Sequence, residues 1–213
     1  MTTPLPAIVF DFGGVLITPI TNQLADVASW HGVPMLDMLQ VLLGPREEST
    51  VDHPWHRAER GEIPTAAMQQ LVVPWAEAAG LTLRGDEYER LLRGDYFIIE
   101  EMVELIRELR ADGHAIGLLT NSFAEFQPTL RQQLDFDLFD VFVDSSDVGC
   151  RKPEPEIYRI VTHRLGVPPE QIIYLDDFHA NIEGAQAAGW QTLHVTDPLV
   201  AIDELKVLLT SLK

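Results

Sequence analysis

Residues 7–16 of the chain read AIVFDFGGVL, an apolar run that meets a single carboxylate, Asp11, and then two glycines. An apolar run followed by a polar residue and glycines is typical of a buried strand that ends in a turn. Strands that are apolar on both faces are usual in parallel sheets, which bind ligands at the carboxyl ends of their strands. The pattern therefore places Asp11 where such a sheet binds ligands, although an Asp there can also simply hydrogen-bond its own turn.

The chain from Tyr96 onward alternates between helical and strand patterns. Helices are predicted over residues 100–112, 125–134, 155–165, 181–188 and 199–212, and strands over residues 115–119, 141–143, 172–175 and 192–195. This alternation predicts βαβ crossovers and a parallel sheet covered by helices on both faces. The first strand, at residues 7–10, is expected to join that sheet, which makes the predicted fold class α/β.

The block between Thr21 and Asp95 has only helical spacing. Helices are predicted over residues 21–30, 34–43, 65–79 and 86–92, with a kink at Pro74 and a polar segment at residues 52–64. A helical block placed after a lone strand predicts an insertion into the α/β unit. We expect a core of residues 1–17 and 96–213 and a helical insertion of residues 18–95.

Composition narrows the class of partner. The 213 residues include 33 acidic and 15 basic side chains, a formal charge of -18. Nucleic acids and anionic membranes require clustered Lys and Arg, so neither is an expected partner. The single cysteine, Cys150, excludes an internal disulfide and fits a reducing compartment. No apolar run approaches the ~20 residues that span a bilayer, and no signal-peptide pattern is seen, so a cytoplasmic location is expected.

Three further stretches place reactive groups at the ends of predicted elements. Thr120 and Asn121 follow a strand directly, where a hydroxyl and backbone N–H groups can bind phosphate or only cap a turn. Lys152 precedes a helix that opens with proline, within reach of a carboxylate or phosphate unless it is an ordinary surface lysine. Asp176 and Asp177 end a strand, and adjacent carboxylates repel each other unless a cation lies near them.

The four stretches together resemble, in order, the motifs of the haloacid dehalogenase-like hydrolase superfamily. They read VFDFGGVL at residues 9–16, LLTNS at 118–122, RKPEPEIY at 151–158 and YLDD at 174–177 with Asn181. The ERGEI segment at residues 59–63 resembles the branch that contains the amino-terminal phosphatase domain of soluble epoxide hydrolase and bacterial sugar-1-phosphatases. The resemblance implies a Rossmann-like parallel core with a helical cap inserted after the first strand.

The resemblance also implies an activity and a role for each site residue. It implies a Mg²⁺-dependent phosphatase that acts on a small phosphorylated metabolite through a phospho-aspartyl intermediate on Asp11. The implied metal ligands are Asp11, Asp177 and the backbone carbonyl of Gly13. The implied phosphoryl-binding residues are Thr120, Asn121 and Lys152. Asp176 and Asn181 are implied to position these groups without binding the substrate or the metal themselves. Residues of the insertion that could contact the substrate are Trp55, His56, Arg57 and Arg60.

Gly13 departs from the family pattern, which usually has a second Asp at this position as general acid and base. Its loss would slow turnover, because such assistance is worth roughly 10²- to 10⁴-fold in rate. We therefore expect a preference for good leaving groups, such as sugar 1-phosphates. Two alternatives stay open: a haloacid dehalogenase that uses Asp11 on a carbon–halogen bond, and a catalytically weak binding module. The dehalogenase reading leaves Asp176 and Asp177 without a purpose.

Overall fold

The computed structural model describes residues 5–45, 52–93 and 96–212. Its centre is a five-stranded sheet in the order β3-β2-β1-β4-β5, and each neighbouring pair is parallel. The strands are β1 (Ala7–Phe10), β2 (Ile116–Thr120), β3 (Val141–Asp144), β4 (Ile172–Asp176) and β5 (Gln191–His194). The predicted α/β class with a parallel sheet is confirmed.

The chain between β1 and β2 is helical, as predicted. Its first helices are α1 (Thr21–His31), α2 (Met35–Leu42), α3 (Pro54–Glu59), α4 (Thr65–Leu71), α5 (Val73–Ala78) and α6 (Glu87–Arg93). These helices bury an apolar cluster of their own, with Leu24, Met38 and Met68 fully inside. Phe123, from the loop after β2, packs into the same cluster. The helical insertion therefore has its own core, and the loop after β2 is one of its contacts with the sheet unit.

The remaining helices cover both faces of the sheet. They are α7 (Glu100–Ala111), α8 (Gln127–Gln133), α9 (Ser145–Val148), α10 (Pro155–Leu165), α11 (His179–Ala187) and α12 (Pro198–Ser211). Ile8 and Phe10 of β1 pack in the cluster that includes α7 and α12, whereas Val9 packs in the cluster that includes α10 and α11. Burial on both faces is the reason that β1 is apolar at every position.

Two short helices and one helix break differ from the sequence expectation. The polar segment at residues 52–64 contains α3, which begins with Pro54 and is capped by His53 Nδ1, an acceptor for the N–H of Trp55 at 3.1 Å. The helix predicted over residues 65–79 is two helices that meet at Val72, because Pro74 has no N–H to continue the ladder. Short helices such as α3 and α9 have too few turns to show a period, so they are set by caps and tertiary contacts.

The chain enters and leaves the helical insertion at neighbouring points. Ile17 forms an antiparallel bridge with Ile98, and the N–H of Thr18 donates to the carbonyl of Phe97 at 3.0 Å. These contacts bring the two connecting segments together beside the carboxyl end of β1. Among the described helices, none combines the length and the apolar character that crossing a bilayer would require.

Candidate active site

The carboxyl ends of three adjacent strands meet at one place. β1 lies between β2 and β4, so Asp11, Thr120 and Asp176 are brought together at the same sheet edge. The N–H of Asp11 donates to the carbonyl of Leu175 at 2.9 Å, which holds Asp11 against β4. All three side chains are buried. The residues that the sequence placed at separate strand ends thus form a single cluster.

Lys152 lies inside this cluster and is not a surface lysine. Its Nζ is 2.7 Å from Asp11 Oδ1 and 2.7 Å from Asp176 Oδ2, and it also donates to the Tyr174 hydroxyl at 2.9 Å. Burial by itself would lower the pKa of Lys152, but the two carboxylates raise it, and the net pKa lies above its ordinary value. Lys152 is therefore a buried ammonium shared by two carboxylates.

The carboxylate of Asp176 is surrounded by donors. Its Oδ1 accepts from the N–H of Phe178 at 2.7 Å and from Asn181 Nδ2 at 3.0 Å. Its Oδ2 accepts from Lys152 Nζ and from the hydroxyl of Tyr174. A carboxylate has about four lone-pair sites that can accept hydrogen bonds, and these four bonds fill the sites of Asp176. Asp176 and Asn181 therefore hold Lys152 and the turn after β4 in place.

Asp177 lies against the turn that follows β1. A Cβ built on Gly14 would be 2.1 Å from Asp177 Oδ2, and Gly14 has a φ of +73°, which L side chains rarely adopt. Only glycine at this position lets the carboxylate approach so closely. Gly13 is different, because a Cβ there would meet nothing within 4 Å. Of the two glycines, Gly14 is required by packing, whereas Gly13 has room for a side chain.

The cluster carries an excess of negative charge. Oxygen atoms of Asp11, Asp176 and Asp177 all lie within 4.8 Å of one another, and Lys152 brings one ammonium to these three carboxyl groups. Burial raises the pKa of Asp11 well above its ordinary value; Lys152 opposes this, while Asp176 and Asp177 add to it. An excess of carboxylate oxygens suits a divalent cation such as Mg²⁺.

The occupancy of each carboxylate indicates which of them could hold the cation. Asp176 is occupied by its donors, whereas both contacts of Asp11, from the N–H of Phe12 at 2.7 Å and from Lys152, use Oδ1 alone. Asp177 borders the same pocket as Asp11 and Gly13. Asp11 and Asp177, which line the pocket together with Gly13, are therefore the carboxylates that could hold a cation there.

Thr120 and Asn121 both border this pocket. The side-chain amide of Asn121 is paired with the backbone of Lys152, donating to its carbonyl at 3.0 Å and accepting from its N–H at 2.8 Å. These two hydrogen bonds tie the turn after β2 to the loop that carries Lys152. The side chain of Asn121 thereby positions the loop that carries the lysine.

The four residues of the insertion that were proposed for substrate contact are placed differently from one another. Trp55 lines the pocket, but the described lining residues do not include His56, Arg57 or Arg60. His56 is buried within the insertion, and Arg57 and Arg60 form ion pairs with Glu62. The geometry of α3 explains this difference. Only residues about four positions apart share one face of a helix, so the residues that directly follow Trp55 point away from the pocket.

Glu59 is the residue four positions after Trp55, and the sequence reasoning missed its role. It lines the pocket, accepts from Trp55 Nε1 at 2.7 Å and forms a buried ion pair with Arg151. The pair joins α3 of the insertion to the loop that also carries Lys152. Glu59 and Arg151 both lie in stretches that the sequence analysis quotes as motifs. Their opposite charges were the signal from which an ion pair between the two stretches could have been predicted.

The pocket above the carboxylates has a volume of about 200 Å³ and two chemically different ends. The polar end consists of the strand-end residues described above. The rest of the wall is mostly apolar, and its members come from segments far apart in the sequence. They are Phe12, Ile17, Ile20, Trp55, Leu91, Leu92, Tyr96, Phe123, Phe126 and Phe178. Phe12 lies in the first motif and Trp55 was a predicted substrate contact, but the others lie outside the motifs and look like ordinary core in the sequence.

Cys150 is a buried free thiol directly before Arg151. Burial raises its pKa to about 11. The thiolate, and not the thiol, is the nucleophilic form of cysteine, so Cys150 has the properties of a packing residue.

The fold and the site define a class of protein, and the comparison with known families agrees. A parallel sheet that gathers Asp11, Lys152 and Asp177 at its carboxyl edge is accompanied by a sequence match to the family described as haloacid dehalogenase-like hydrolase over residues 5–189. The chain belongs to this family of hydrolases. The superfamily resemblance read from the four motifs is confirmed.

Relatives with curated names include a phosphatase. The chain is 32% identical over 213 residues to the sesquiterpene phosphatase of Aspergillus oryzae, covering 98% of each protein. It is 30% identical over 207 residues to acyl-CoA dehydrogenase family member 10 of Mus musculus, covering 95% of this chain and only 19% of the mouse protein. The chain thus spans less than a fifth of that relative.

Solved structures share the fold at low sequence identity. A dehalogenase solved with an intermediate complex has a TM-score of 0.68 at 19% identity, with 98% of each chain covered. A family enzyme of Bacteroides thetaiotaomicron, in complex with magnesium and inorganic phosphate, has a TM-score of 0.60 at 20% identity and covers 90% of this chain and 94% of its own. At these identities the likeness establishes the fold.

Proposed function

We propose that the chain is a Mg²⁺-dependent phosphatase that hydrolyses small phosphate monoesters through a phospho-aspartyl intermediate on Asp11. The observation that carries the proposal is the cluster of Asp11, Asp176 and Asp177, three carboxyl groups that share the ammonium of Lys152, at the polar end of a pocket. The relative named as a sesquiterpene phosphatase, aligned over 98% of the chain, supports phosphate ester hydrolysis.

The chemistry follows from the groups at the pocket's polar end. Asp11 attacks phosphorus, a new O–P bond forms, and the ester P–O bond breaks with its electron pair on the departing alcohol oxygen. Lys152, held by Asp176, offsets charge as Asp11 is phosphorylated, and Thr120 with the backbone N–H of Asn121 binds the phosphoryl oxygens. A water molecule then attacks phosphorus, the bond between phosphorus and the Asp11 oxygen breaks, and the carboxylate is restored as phosphate leaves. Bound by Asp11, Asp177 and the Gly13 carbonyl, Mg²⁺ would supply the positive charge that brings two anions together.

We also propose that residues 18–95 act as a cap on a core formed by residues 1–17 and 96–213. The separate apolar cluster of the insertion and the paired connecting segments at Ile17 and Ile98 support this division. Trp55 of the insertion meets Phe123 of the sheet unit, with ring centroids 4.8 Å apart, over the pocket. This cap would exclude water from the phosphoryl group while Asp11 attacks.

A haloacid dehalogenase is the competing activity, and Gly13 is the observation that favours it. Such an enzyme would also use Asp11 but would form a bond to carbon and release halide, and it would need no cation. Asp177 would then have no cation to bind. The binding-module alternative rests on Gly13 as well, and it predicts ligand binding without turnover.

One assay separates these activities. The purified chain is incubated with a panel of phosphate monoesters and with 2-haloacids, each with Mg²⁺ and with a chelator, and released phosphate and halide are measured. Phosphate release that requires Mg²⁺ is the expected result. Halide release that is insensitive to the chelator would establish the dehalogenase, and absence of both products would leave the binding module.

Asp177→Ala is expected to weaken Mg²⁺ binding at least about tenfold, because the variant removes one of two anionic ligands. Isothermal titration calorimetry of Mg²⁺ into the wild type and the variant measures the change. The matched control is Asp37→Ala on the exposed part of α2, which should leave the affinity unaltered. Equal Mg²⁺ affinity in the wild type and Asp177→Ala would remove this residue from the metal site.

Gly13→Asp is expected to speed hydrolysis of alkyl phosphates by about 10²-fold and of aryl phosphates much less, because only poor leaving groups need a proton. The backbone allows the test, since a Cβ at Gly13 has no neighbour within 4 Å. Single-turnover phosphorylation across esters of rising leaving-group pKa should show a steep dependence for the wild type and a flatter one for the variant. Gly13→Asn, which has the same shape without the acid, should keep the steep dependence. A shallow dependence already in the wild type would show that another group donates the proton.

A further inference from the structure

We propose that the alcohol released by this site is apolar, a hydrocarbon group of aromatic or branched aliphatic character, and not a sugar. This inference rests on the proposed phosphatase function and specifies the leaving group for that same pocket. It is drawn from the part of the pocket wall beyond the phosphoryl-binding end.

Three well-separated segments supply six residues of the apolar wall. They contribute Ile17 and Ile20 after β1, Leu91 and Leu92 of α6, and Phe123 and Phe126 after β2. Because these segments belong to both the helical insertion and the sheet unit, the apolar character does not come from one local run of sequence. A leaving group attached to a phosphate at Asp11 must pass along this wall.

The polar side chains in the same wall are engaged with protein groups. Glu59 pairs with Arg151 and accepts the N–H of Trp55. The hydroxyl of Tyr96 donates to the carbonyl of Leu91. The backbone of Ser122 is paired with the hydroxyl of Ser145, which accepts from the Ser122 N–H at 3.0 Å and donates to the Ser122 carbonyl at 3.3 Å. Sugar hydroxyls that enter this wall would therefore lose water without gaining an equivalent partner, which costs about tenfold in affinity for each hydroxyl.

The aromatic part of the wall is braced by packing. Trp55 is stacked near Tyr88, with centroids 6.1 Å apart, and meets Phe123 edge-on at 4.8 Å. Phe123 in turn packs against Phe126 at 5.8 Å. The volume of about 200 Å³, which includes the polar end, is comparable with the roughly 150 Å³ of an engineered apolar cavity that holds benzene. The pocket is thus wide enough for a ring-sized hydrocarbon, in a shape that is present before binding.

The test uses phenyl phosphate and its 4-methyl, 4-ethyl and 4-propyl derivatives, with Mg²⁺. Para-alkyl groups scarcely change the pKa of the phenol, so the series varies apolar size while the bond that breaks stays the same. We expect kcat/KM to rise about threefold to fourfold per added carbon until the wall is filled, as burial of a methylene group allows. Glucose 1-phosphate should be hydrolysed at least about tenfold less efficiently than phenyl phosphate.

A pair of variants assigns the effect to the wall. Leu92→Gln places an amide in the half-buried lining of α6 and should flatten the rise along the series. Leu36→Gln makes the same change at a residue of the insertion that is 61% exposed and outside the pocket lining, and it should keep the rise. An equally steep rise in Leu92→Gln would show that this wall does not bind the leaving group and would overturn the inference.

The remaining outcomes separate the inference from the function on which it rests. A flat or falling series, with phosphate still released from the esters, would overturn the apolar leaving group and leave the phosphatase proposal standing. Preferred hydrolysis of glucose 1-phosphate would do the same. No phosphate from any ester in the presence of Mg²⁺ would overturn the phosphatase proposal, and the leaving-group inference would fall with it.

Discussion

Asp11→Asn is expected to lower kcat/KM for phosphate esters by at least about 10⁴-fold, the order of effect seen when a nucleophile is removed. An amide cannot attack phosphorus, yet it has nearly the shape of the carboxylate. The N–H of Phe12 and Lys152 Nζ, the two donors to Asp11 Oδ1, can both still donate to an amide oxygen. Steady-state kinetics and a cooperative unfolding transition would show activity lost while the fold remains.

A second measurement on the wild type shows whether Asp11 itself carries the phosphoryl group. Beryllium fluoride with Mg²⁺ should form an acyl-phosphate mimic on Asp11, detected by fluorine NMR, and Asp11→Asn should give no such signal. Asp37→Asn, at an exposed position of α2, is the matched control and should retain both the signal and the activity. Turnover that persists in Asp11→Asn would mean that water or another residue attacks phosphorus.

Lys152→Met is expected to destabilise the fold by about 3–5 kcal/mol near neutral pH and to abolish turnover, because it leaves buried carboxylates without their ammonium. Lys152 is only 1% exposed and lies 2.7 Å from both Asp11 and Asp176. Methionine fills a similar volume, so the change is chiefly one of charge. Urea unfolding without added metal measures the free energy of unfolding of both proteins.

The pH dependence of that loss has a definite sign. Burial already raises the pKa of Asp11 in the folded protein, and Lys152 lowers it, so the variant raises the pKa further. A carboxyl group whose folded-state pKa is raised destabilises the fold at pH values above its unfolded-state pKa. The difference between variant and wild type should therefore be smaller in mildly acidic buffer than near neutral pH, because Asp11 takes up a proton in the variant as the pH falls.

Lys206→Met is the matched control for this pair of measurements. Lys206 is half exposed and pairs with Glu108 on the surface, so the change should stay within about 0.5 kcal/mol of the wild type at either pH. A destabilisation in Lys152→Met that does not vary with pH would contradict the electrostatic account. It would instead indicate that the lysine stem contributes through packing.

Much of the polar site could be predicted before the structure, because its residues follow strands directly. Asp11, Thr120 and Asp176 each come at the end of an apolar run, and strand ends in a parallel sheet converge whatever the intervening chain does. The position of Lys152 is a different matter. Its place after Gly149 and before a proline is visible in the sequence, but its burial between two carboxylates depends on how its loop packs, through Asn121, against the turn after β2.

The helical insertion shows where sequence reasoning fails. A stretch of six helical residues such as α3 is too short to reveal a period, so Trp55 could not be separated from His56, Arg57 and Arg60. Helical geometry places Trp55 and Glu59 on one face, toward the pocket, and leaves the two arginines to pair with Glu62. Arg57 and Arg60 were predicted as possible substrate contacts alongside Trp55, yet the structure places these arginines beside acidic partners outside the described pocket lining.

The sequence by itself determined the α/β class, the identity of the strand-end residues and the departure at Gly13, because periodicity and residue type are local properties. Only the tertiary structure decided the surroundings of the leaving group. Ile17, Leu91 and Phe126 are ordinary apolar residues in the sequence, and they become one wall only when the insertion packs over the sheet edge. The same holds for the contact at Gly14, since it depends on where Asp177 lies. Side chains that are far apart along the chain can share a pocket only through packing, and no pattern along the chain records that packing.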